Sequence, residues 1–128
     1  MDISIVVPTK NRLKYITKLI NYYDSVNYTG TLIIVDSSDD EISFKTEQLI
    51  KNKKKLNINY IRYKANEIAA KAKICSQLKT KYTIQAGDDD YYSPQGLKEI
   101  ISFLDNNTDY VSASGYGYVV GYDLHKNK

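Results

Sequence analysis

The stretch Tyr82-Thr83-Ile84-Gln85-Ala86-Gly87-Asp88-Asp89-Asp90 places an apolar, strand-like run directly before three consecutive aspartates. Like charges in a row repel one another, and a fold tolerates them best where a cation neutralises them. In an open α/β sheet, ligands bind outside the carboxyl ends of the strands. Alone, the triplet would be read as a solvated acidic turn. Its position after a strand favours a divalent-cation site that faces a phosphate ligand.

Length and composition are those of an ordinary globular chain. The 128 residues suffice for one domain with a hydrophobic core, and contents of 42% hydrophobic and 26% charged residues exclude a disordered chain. No apolar run approaches the roughly 18 residues that span a bilayer, so we expect no integral membrane segment. The N-terminus lacks the pattern of a signal peptide, and the single cysteine, Cys75, cannot form an internal disulfide. We therefore expect a cytoplasmic protein.

The net charge of +3 does not indicate a nucleic-acid partner. The densest basic run is Lys51-Asn52-Lys53-Lys54-Lys55. We interpret it as a solvated helix end and loop, because no basic stripe with interleaved aromatic residues stands out. The acidic triplet would also repel a phosphate backbone, so we expect no nucleic-acid binding.

The hydrophobic pattern alternates between strands and helices. It predicts helices over residues 13–23, 43–52, 67–78 and 96–104, the last preceded by the cap Ser93-Pro94. It predicts strands over residues 3–7, 31–35, 57–63, 82–86 and 110–114. Short strands separated by helices favour an α/β fold, with a mainly parallel sheet flanked by helices.

The Tyr- and Val-rich segment 116–122 resembles one more strand, and the printed chain stops six residues later. A strand at an unpaired edge exposes its backbone and its apolar side chains. We therefore expect residues 110–122 to form one or two strands at the end of the sheet. Either a homodimer would bury this C-terminal edge, or residues 123–128 would be mobile.

Two further loops follow strands and should meet the acidic triplet at one rim of the sheet. The first is Pro8-Thr9-Lys10-Asn11-Arg12, in which Thr9 and Asn11 can bind a base or ribose and Arg12 can hold a phosphate. The second begins at Asp36, whose carboxylate can accept a hydrogen bond from a pyrimidine N–H or a ribose hydroxyl. Helix capping and turn formation are the alternative roles for Thr9, Asn11 and Asp36.

Two lysines are further candidates for phosphate binding, and the absence of several motifs limits the classes of reaction. Lys71 and Lys73 precede the fourth predicted strand and could reach a diphosphate, although most such lysines are simply solvated. No Walker loop, Gly-x-Gly-x-x-Gly or Gly-x-Ser-x-Gly motif occurs, and the one histidine, His125, lies near the end. The residues on offer suit an oxygen-ligand site for Mn²⁺ or Mg²⁺.

Three segments, Ser4 to Arg12, Leu32 to Ser38 and Tyr82 to Pro94, resemble in order and spacing the signatures of family 2 glycosyltransferases of the GT-A fold. The resemblance covers about residues 3–114. It implies a Rossmann-like, nucleotide-sugar-binding half of such an enzyme. It also implies that Pro8 and Thr9 line the base pocket and that Asp36 reads the base, while the acidic motif binds the ribose and a divalent cation.

The chain departs from the family pattern in informative ways. Where the family often has Asp-x-Asp, counting back from Pro94 gives Gly87 and Asp89. The resemblance therefore implies that Asp89 is the principal metal ligand, with Asp88 nearer the ribose and Asp90 an adjacent helper. The family's basic residue before the fourth strand is usually Arg, which Lys71 or Lys73 replaces here. Lysine supplies charge but no bidentate fork.

The resemblance implies a metal-dependent, inverting transfer of a sugar from a nucleotide-diphosphate donor, with a UDP-sugar favoured, to a saccharide or other hydroxyl acceptor. We expect residues 1–128 to form a single donor-binding domain that ends before the acceptor-binding half, and no catalytic base can be assigned. One alternative is a nucleotide-diphosphate-binding module without turnover. A nucleotidyltransferase ranks last, because the glycine-rich phosphate loop expected there is absent.

Overall fold

The computed structural model describes residues 1–64 and 66–120, apart from the side chain of Glu67. The chain divides into two units, Met1–Pro94 and Gln95–Lys128. Within the described residues, the elements are β1 (Ile3–Thr9), α1 (Leu13–Ser25), β2 (Thr31–Asp36), α2 (Asp40–Lys51), β3 (Asn57–Arg62), α3 (Glu67–Cys75), β4 (Tyr82–Gln85) and α4 (Pro94–Asn106).

The strands of the first unit form the predicted parallel sheet. Its order is β3-β2-β1-β4, with β1 paired to both β2 and β4. From β1 the chain builds outward through β2 to β3, and it then returns to add β4 on the other side of β1. The order therefore reverses between β1 and β4, and open α/β sheets bind ligands at such a reversal.

The sheet buries both of its faces. Val6, Ile33 and Val35 pack with Ala70 and Ile74 of α3. Successive strand residues point to opposite faces, so the fully buried Ile5, Val7, Leu32 and Ile34 lie on the other side. This burial explains why β1 and β2 are continuous apolar runs rather than alternating ones.

The apolar residues of α3 and α2 mark the packing faces of these helices only in part. In α3, helical spacing predicts a packing face of Ile68, Ala72, Cys75 and Leu78, yet Ile68 is 81% exposed and the buried residues of the helix are Ala70 and Ile74. Leu78, which follows the helix, is partly buried against the same cluster. In α2, Phe44 is exposed, while Ser43 and Thr46 are buried. Ser43 and Thr46 satisfy their hydroxyls on backbone carbonyls of the same segment, so polar side chains can occupy the inner face.

Within residues 110–120, the predicted strands near the C-terminus do not form. The helix α4 begins at Pro94, as the proline predicted. In the second unit, Phe103 meets Tyr110 edge to face at 5.2 Å between ring centroids. Residues 110–120 contain no strand, and Val111, Tyr116 and Val119 are almost completely exposed. β-propensity reflects packing on a sheet rather than a backbone preference. Residues 121–128, including the segment predicted to be mobile, lie outside the described residues, and the homodimer stays a prediction.

Candidate functional site

A cleft of about 340 Å³ opens at the carboxyl ends of the strands. Its lining comes from the loops after all four strands and from the start of α3, all within the first unit: Pro8, Thr9, Lys10, Arg12, Val35, Ser37, Tyr63, Asn66, Ala70, Gly87, Asp88 and Asp89. We call Thr9, Arg12, Asp88 and Asp89 the charged end of this cleft, and Val35, Ser37, Tyr63 and Asn66 its neutral end. The volume lies within the range of small-molecule sites.

The charged end joins the loops after β1 and β4. Thr9 donates a hydrogen bond from Oγ1 to Asp88 Oδ2 at 2.9 Å. The Arg12 guanidinium contacts both acids, with Nε 3.0 Å from Asp88 Oδ1 and an η-nitrogen 2.9 Å from Asp89 Oδ2. Asp88 is 5% exposed and Asp89 56% exposed, so one carboxylate is inside the protein and the other faces solvent.

The environment of Asp88 works against its ionisation. Burial raises the pKa of its carboxyl, and the hydrogen bond from Thr9 and the charge of Arg12 oppose that rise only in part. Burial also opposes the charge of Arg12, but Asp88 and then Asp89 outweigh it and raise the pKa of the guanidinium. Functional sites often hold such disfavoured charges.

Asp90 shapes the acidic loop from within. Its Oδ2 accepts a hydrogen bond from the Gly87 N–H at 2.8 Å. A Cβ on Gly87 would lie 2.9 Å from Asp89 Oδ1 and 3.1 Å from Asp90 Oδ2, so a side chain at this position would require these carboxylates to shift. Asp90 does not line the cleft, and its predicted role as a metal helper stays a prediction.

Two tyrosines of α1 hold the segment that follows the acidic loop. Tyr22 donates from its hydroxyl to the Tyr92 carbonyl, and the Tyr92 N–H donates to the Tyr23 hydroxyl, both at 3.2 Å. Tyr23 is fully buried. The backbone of Tyr92, two residues after the aspartate triplet, is thus tied to α1.

Asn11 connects the loops after β1 and β2. It adopts a left-handed backbone with φ of 54°, a conformation that asparagine tolerates better than most residues. Its Oδ1 accepts from the Asp39 N–H at 2.9 Å, and its Nδ2 donates to Asp39 Oδ2 at 3.0 Å. The side chain is used between loops, and its predicted contact with a nucleotide stays a prediction.

Asp36 occupies the predicted place, at the end of β2 and in register with Thr9. It is completely buried. Its Oδ1 accepts from the Ser38 N–H at 2.8 Å and its Oδ2 accepts from the Tyr60 hydroxyl at 2.6 Å. Both oxygens are therefore engaged inside the protein, and Asp36 does not line the cleft.

Lys71 and Lys73, the two lysines predicted to contact a diphosphate, lie on α3. The cleft lining in this region comes instead from Ala70 of α3 and from its N-cap Asn66. Lys73 places its ammonium 4.6 Å from the centroid of the Tyr63 ring. The ammonium of Lys73 thus faces an aromatic ring at the neutral end, and phosphate binding by either lysine stays a prediction.

Sequence reasoning did not select the residues of the neutral end. The sequence pattern predicts that Ser37 follows Asp36 in the loop after the second strand, that Tyr63 ends the third strand and that Asn66 precedes a helix. The one available signal was the position of Asn66, since asparagine is a strong helix N-cap. In the structure Asn66 is the N-cap of α3, and its Oδ1 accepts a hydrogen bond from the Ala69 N–H at 2.9 Å.

The acidic residues fit one kind of metal site. In the part of the chain that the structure describes, no group of three or more His, Cys, Asp or Glu side chains could hold an ion. Asp88 and Asp89 nevertheless share one guanidinium, so their oxygens converge on a single cation. Mg²⁺-type ions often use one or two carboxylates and complete their shell with substrate phosphates and water. The pair fits an ion shared with a diphosphate.

Comparison with known proteins places this chain in a family. The model of glycosyl transferase family 2 matches residues 4–126, and the chain belongs to that family. Poly(ribitol-phosphate) beta-N-acetylglucosaminyltransferase TarS of Staphylococcus aureus is 23% identical over 111 residues. The alignment covers 84% of this chain and 19% of TarS, so the chain spans about one fifth of that relative.

Solved structures agree on the fold. Residues 1–349 of S. aureus TarS in complex with UDP match with a TM-score of 0.66 and 23% identity, over 84% of this chain and 33% of that one. The mannosyltransferase PcManGT from Pyrobaculum calidifontis, in complex with GDP-Man and Mn²⁺, matches with a TM-score of 0.67 and 14% identity, over 80% and 32%. These likenesses confirm the predicted α/β fold of GT-A glycosyltransferases.

No helix within residues 1–64 and 66–120 is both long enough and apolar enough to cross a membrane.

Proposed function

We propose that this chain is the donor-binding part of a glycosyltransferase that moves a sugar from a nucleotide-diphosphate donor, a UDP-sugar in the first instance, to an acceptor hydroxyl. The observation that supports this proposal most directly is the cleft at the reversal of strand order, which has a charged end and a neutral end. A nucleoside diphosphate has the same division between a nearly neutral base and a charged diphosphate. Family membership and the UDP complex of TarS support this reading.

At the charged end, Asp88 and Asp89 would hold a divalent cation, Mn²⁺ or Mg²⁺. When bound, such an ion neutralises the charge that develops on the leaving diphosphate. Arg12 lies against both carboxylates and adds a second positive charge beside that position. Thr9 keeps Asp88 oriented through its hydrogen bond. PcManGT, solved with GDP-Man and Mn²⁺, supports the use of a divalent ion.

An inverting displacement is the stereochemical course that the family resemblance implies, and it needs a base to deprotonate the acceptor hydroxyl. We assign no base within the described residues. The acceptor site and the base are proposed to lie beyond a single donor-binding domain formed by residues 1–128. The small share of TarS that the chain spans supports this division.

Calorimetric titration of the chain with UDP tests the proposal, once with Mn²⁺ and once with EDTA. We expect binding that is much stronger with the metal. Release of UDP from UDP-sugars is then measured with candidate acceptors, both on this chain and on any longer parent protein. Nucleotide binding without UDP release in either would favour the non-catalytic module instead. Failure to bind any nucleoside diphosphate would contradict both.

A further inference from the structure

Arg12 bridges the two carboxylates that are proposed to hold the divalent cation. Its Nε lies 3.0 Å from Asp88 Oδ1, and one of its η-nitrogens lies 2.9 Å from Asp89 Oδ2. The other oxygen of Asp88 accepts a hydrogen bond from the Thr9 hydroxyl at 2.9 Å. A metal ion that binds both acids through the oxygens facing Arg12 therefore has to take the place of the guanidinium.

The guanidinium has a defined position in the structure. Its fork spans two carboxylates, and its central carbon lies 4.0 Å from the centroid of the Tyr15 ring. Many exposed ion pairs contribute little to stability, but a guanidinium with two carboxylate partners and an aromatic neighbour is better fixed than most. Arg12 is therefore a specific counter-ion of Asp88 and Asp89.

Arg12 can leave the acids without a change in the fold. Its side chain is 43% exposed, whereas Asp88 is 5% exposed and is held by Thr9. The Arg12 backbone is fixed at the start of α1, because its carbonyl accepts from the Tyr15 N–H at 2.9 Å and from the Ile16 N–H at 3.1 Å. Displacement is then a rotation of one long side chain about a fixed backbone.

A diphosphate changes the balance between the two cations. Without it, an incoming metal ion meets the positive charge of Arg12 and competes with it for the same oxygens. With it, a displaced guanidinium gains new anionic acceptors, and the phosphates supply further ligands to an Mg²⁺-type ion. Nucleotide binding therefore favours the exchange of Arg12 for the metal at Asp88 and Asp89.

We propose that Arg12 is a tethered cation that closes the metal site of the nucleotide-free protein. The metal alone then binds weakly, and Arg12 makes metal binding depend on the presence of a diphosphate. The inference rests on the proposed function and adds to it the residue that couples the two ligands.

The test is the affinity for Mn²⁺ alone, measured on the full chain from the electron paramagnetic resonance signal of the unbound ion. Arg12→Gln removes the charge but keeps a polar side chain. We expect it to bind Mn²⁺ about tenfold or more tightly than the wild type, because the ion no longer displaces charge-assisted hydrogen bonds.

Two variants separate the contact from the charge. Lys14→Gln removes the same charge from an exposed residue of α1 outside the cleft lining, and it should change the affinity for Mn²⁺ by less than about twofold, since exposed charges are screened. Arg12→Lys keeps the charge but has no fork to span both acids, so it should bind Mn²⁺ more tightly than the wild type. Thermal melting checks that each variant folds.

Three results would overturn the proposal: an unchanged affinity for Mn²⁺ in Arg12→Gln, an equal gain in Lys14→Gln, or no gain in Arg12→Lys. Failure of Arg12→Gln to bind Mn²⁺ at all would also overturn it, because the opened site should then be accessible.

Titration with UDP distinguishes this inference from the proposed function. The factor by which saturating UDP raises the affinity for Mn²⁺ should be about tenfold smaller in Arg12→Gln than in the wild type, and equal factors would contradict the coupling role of Arg12. If UDP binds neither protein, the proposed function fails, while tighter Mn²⁺ binding by Arg12→Gln would still support closure by Arg12. If UDP binds and Arg12→Gln leaves the affinity for Mn²⁺ unchanged, only this inference fails.

Discussion

The two ends of the cleft are built in opposite ways. At the charged end, oppositely charged side chains contact one another directly, as Arg12 does with Asp88 and Asp89. At the neutral end, Ser37 and Asn66 each form a hydrogen bond with a backbone group. Their remaining hydrogen-bonding groups are available at the cleft. The contrast teaches that a charged binding region can be predicted from the residue types in the sequence. The direction in which a neutral side chain donates or accepts a hydrogen bond depends instead on its neighbours in the fold.

The largest expected effect is at the charged end. Asp89→Ala should weaken Mn²⁺-dependent UDP binding on the order of 100-fold, because the ion would lose one of two protein carboxylates. The fold should persist, since this side chain is 56% exposed. Asp40→Ala is the matched control, as Asp40 is an exposed acid paired with Arg62 and Lys64 outside the cleft lining. Calorimetry in which the two variants behave alike would remove Asp89 from the metal site.

Asp36→Asn tests whether the two internal hydrogen bonds of Asp36 stabilise the protein next to the neutral end. The substitution sets an amide N–H₂ against the Tyr60 hydroxyl or the Ser38 N–H, and should lower the free energy of unfolding by about 1–3 kcal/mol, the usual cost of an unsatisfied buried group. Urea denaturation measures this loss. In a double-mutant cycle with Tyr60→Phe, the two effects should be non-additive because both alter one hydrogen bond. Full stability of Asp36→Asn would show that its internal bonds matter little.

Tyr63→Ala tests whether the two ends of the cleft bind different parts of the nucleotide. We expect UDP to bind roughly tenfold more weakly, because an aromatic wall beside a base contributes on the order of 1–3 kcal/mol. Inorganic pyrophosphate, which has no base, should bind both proteins equally. Tyr63→Phe keeps the ring and should resemble the wild type. Equal losses for UDP and pyrophosphate in Tyr63→Ala would contradict the assignment of Tyr63 to the base.

The smallest expected effect is a pH dependence of stability from Asp88. Burial raises the pKa of this carboxyl above its ordinary value of 3.8. The folded protein therefore binds this proton more tightly than the unfolded chain, and the free energy of unfolding should fall as pH rises from about 3.8 through the raised pKa. Asp88→Asn should lack this fall. Urea midpoints of both proteins across acidic pH measure the difference, and parallel curves would show that Asp88 titrates normally.

Much of the fold was predictable because its signals are local. Apolar runs and helical periodicity located the strands and helices of the first unit, with ends shifted by a few residues. Residues 110–120 show the limit, since Tyr- and Val-rich sequence favours a strand only where another strand supplies hydrogen bonds. The buried face of α3 was also missed, because which side of a short apolar helix packs depends on the sheet beneath it.

The sequence alone determined the alternation of strands and helices, the family, and the residue types of the charged end, since each is written in contiguous segments. Only the tertiary structure decided that β4 lies beside β1, which brings Thr9 and Asp88 into hydrogen-bond contact across 79 residues of chain. It also decided that Asp36 turns inward while Asn66 faces the cleft. Strand order and side-chain direction depend on pairings between distant segments, and no local pattern encodes those pairings.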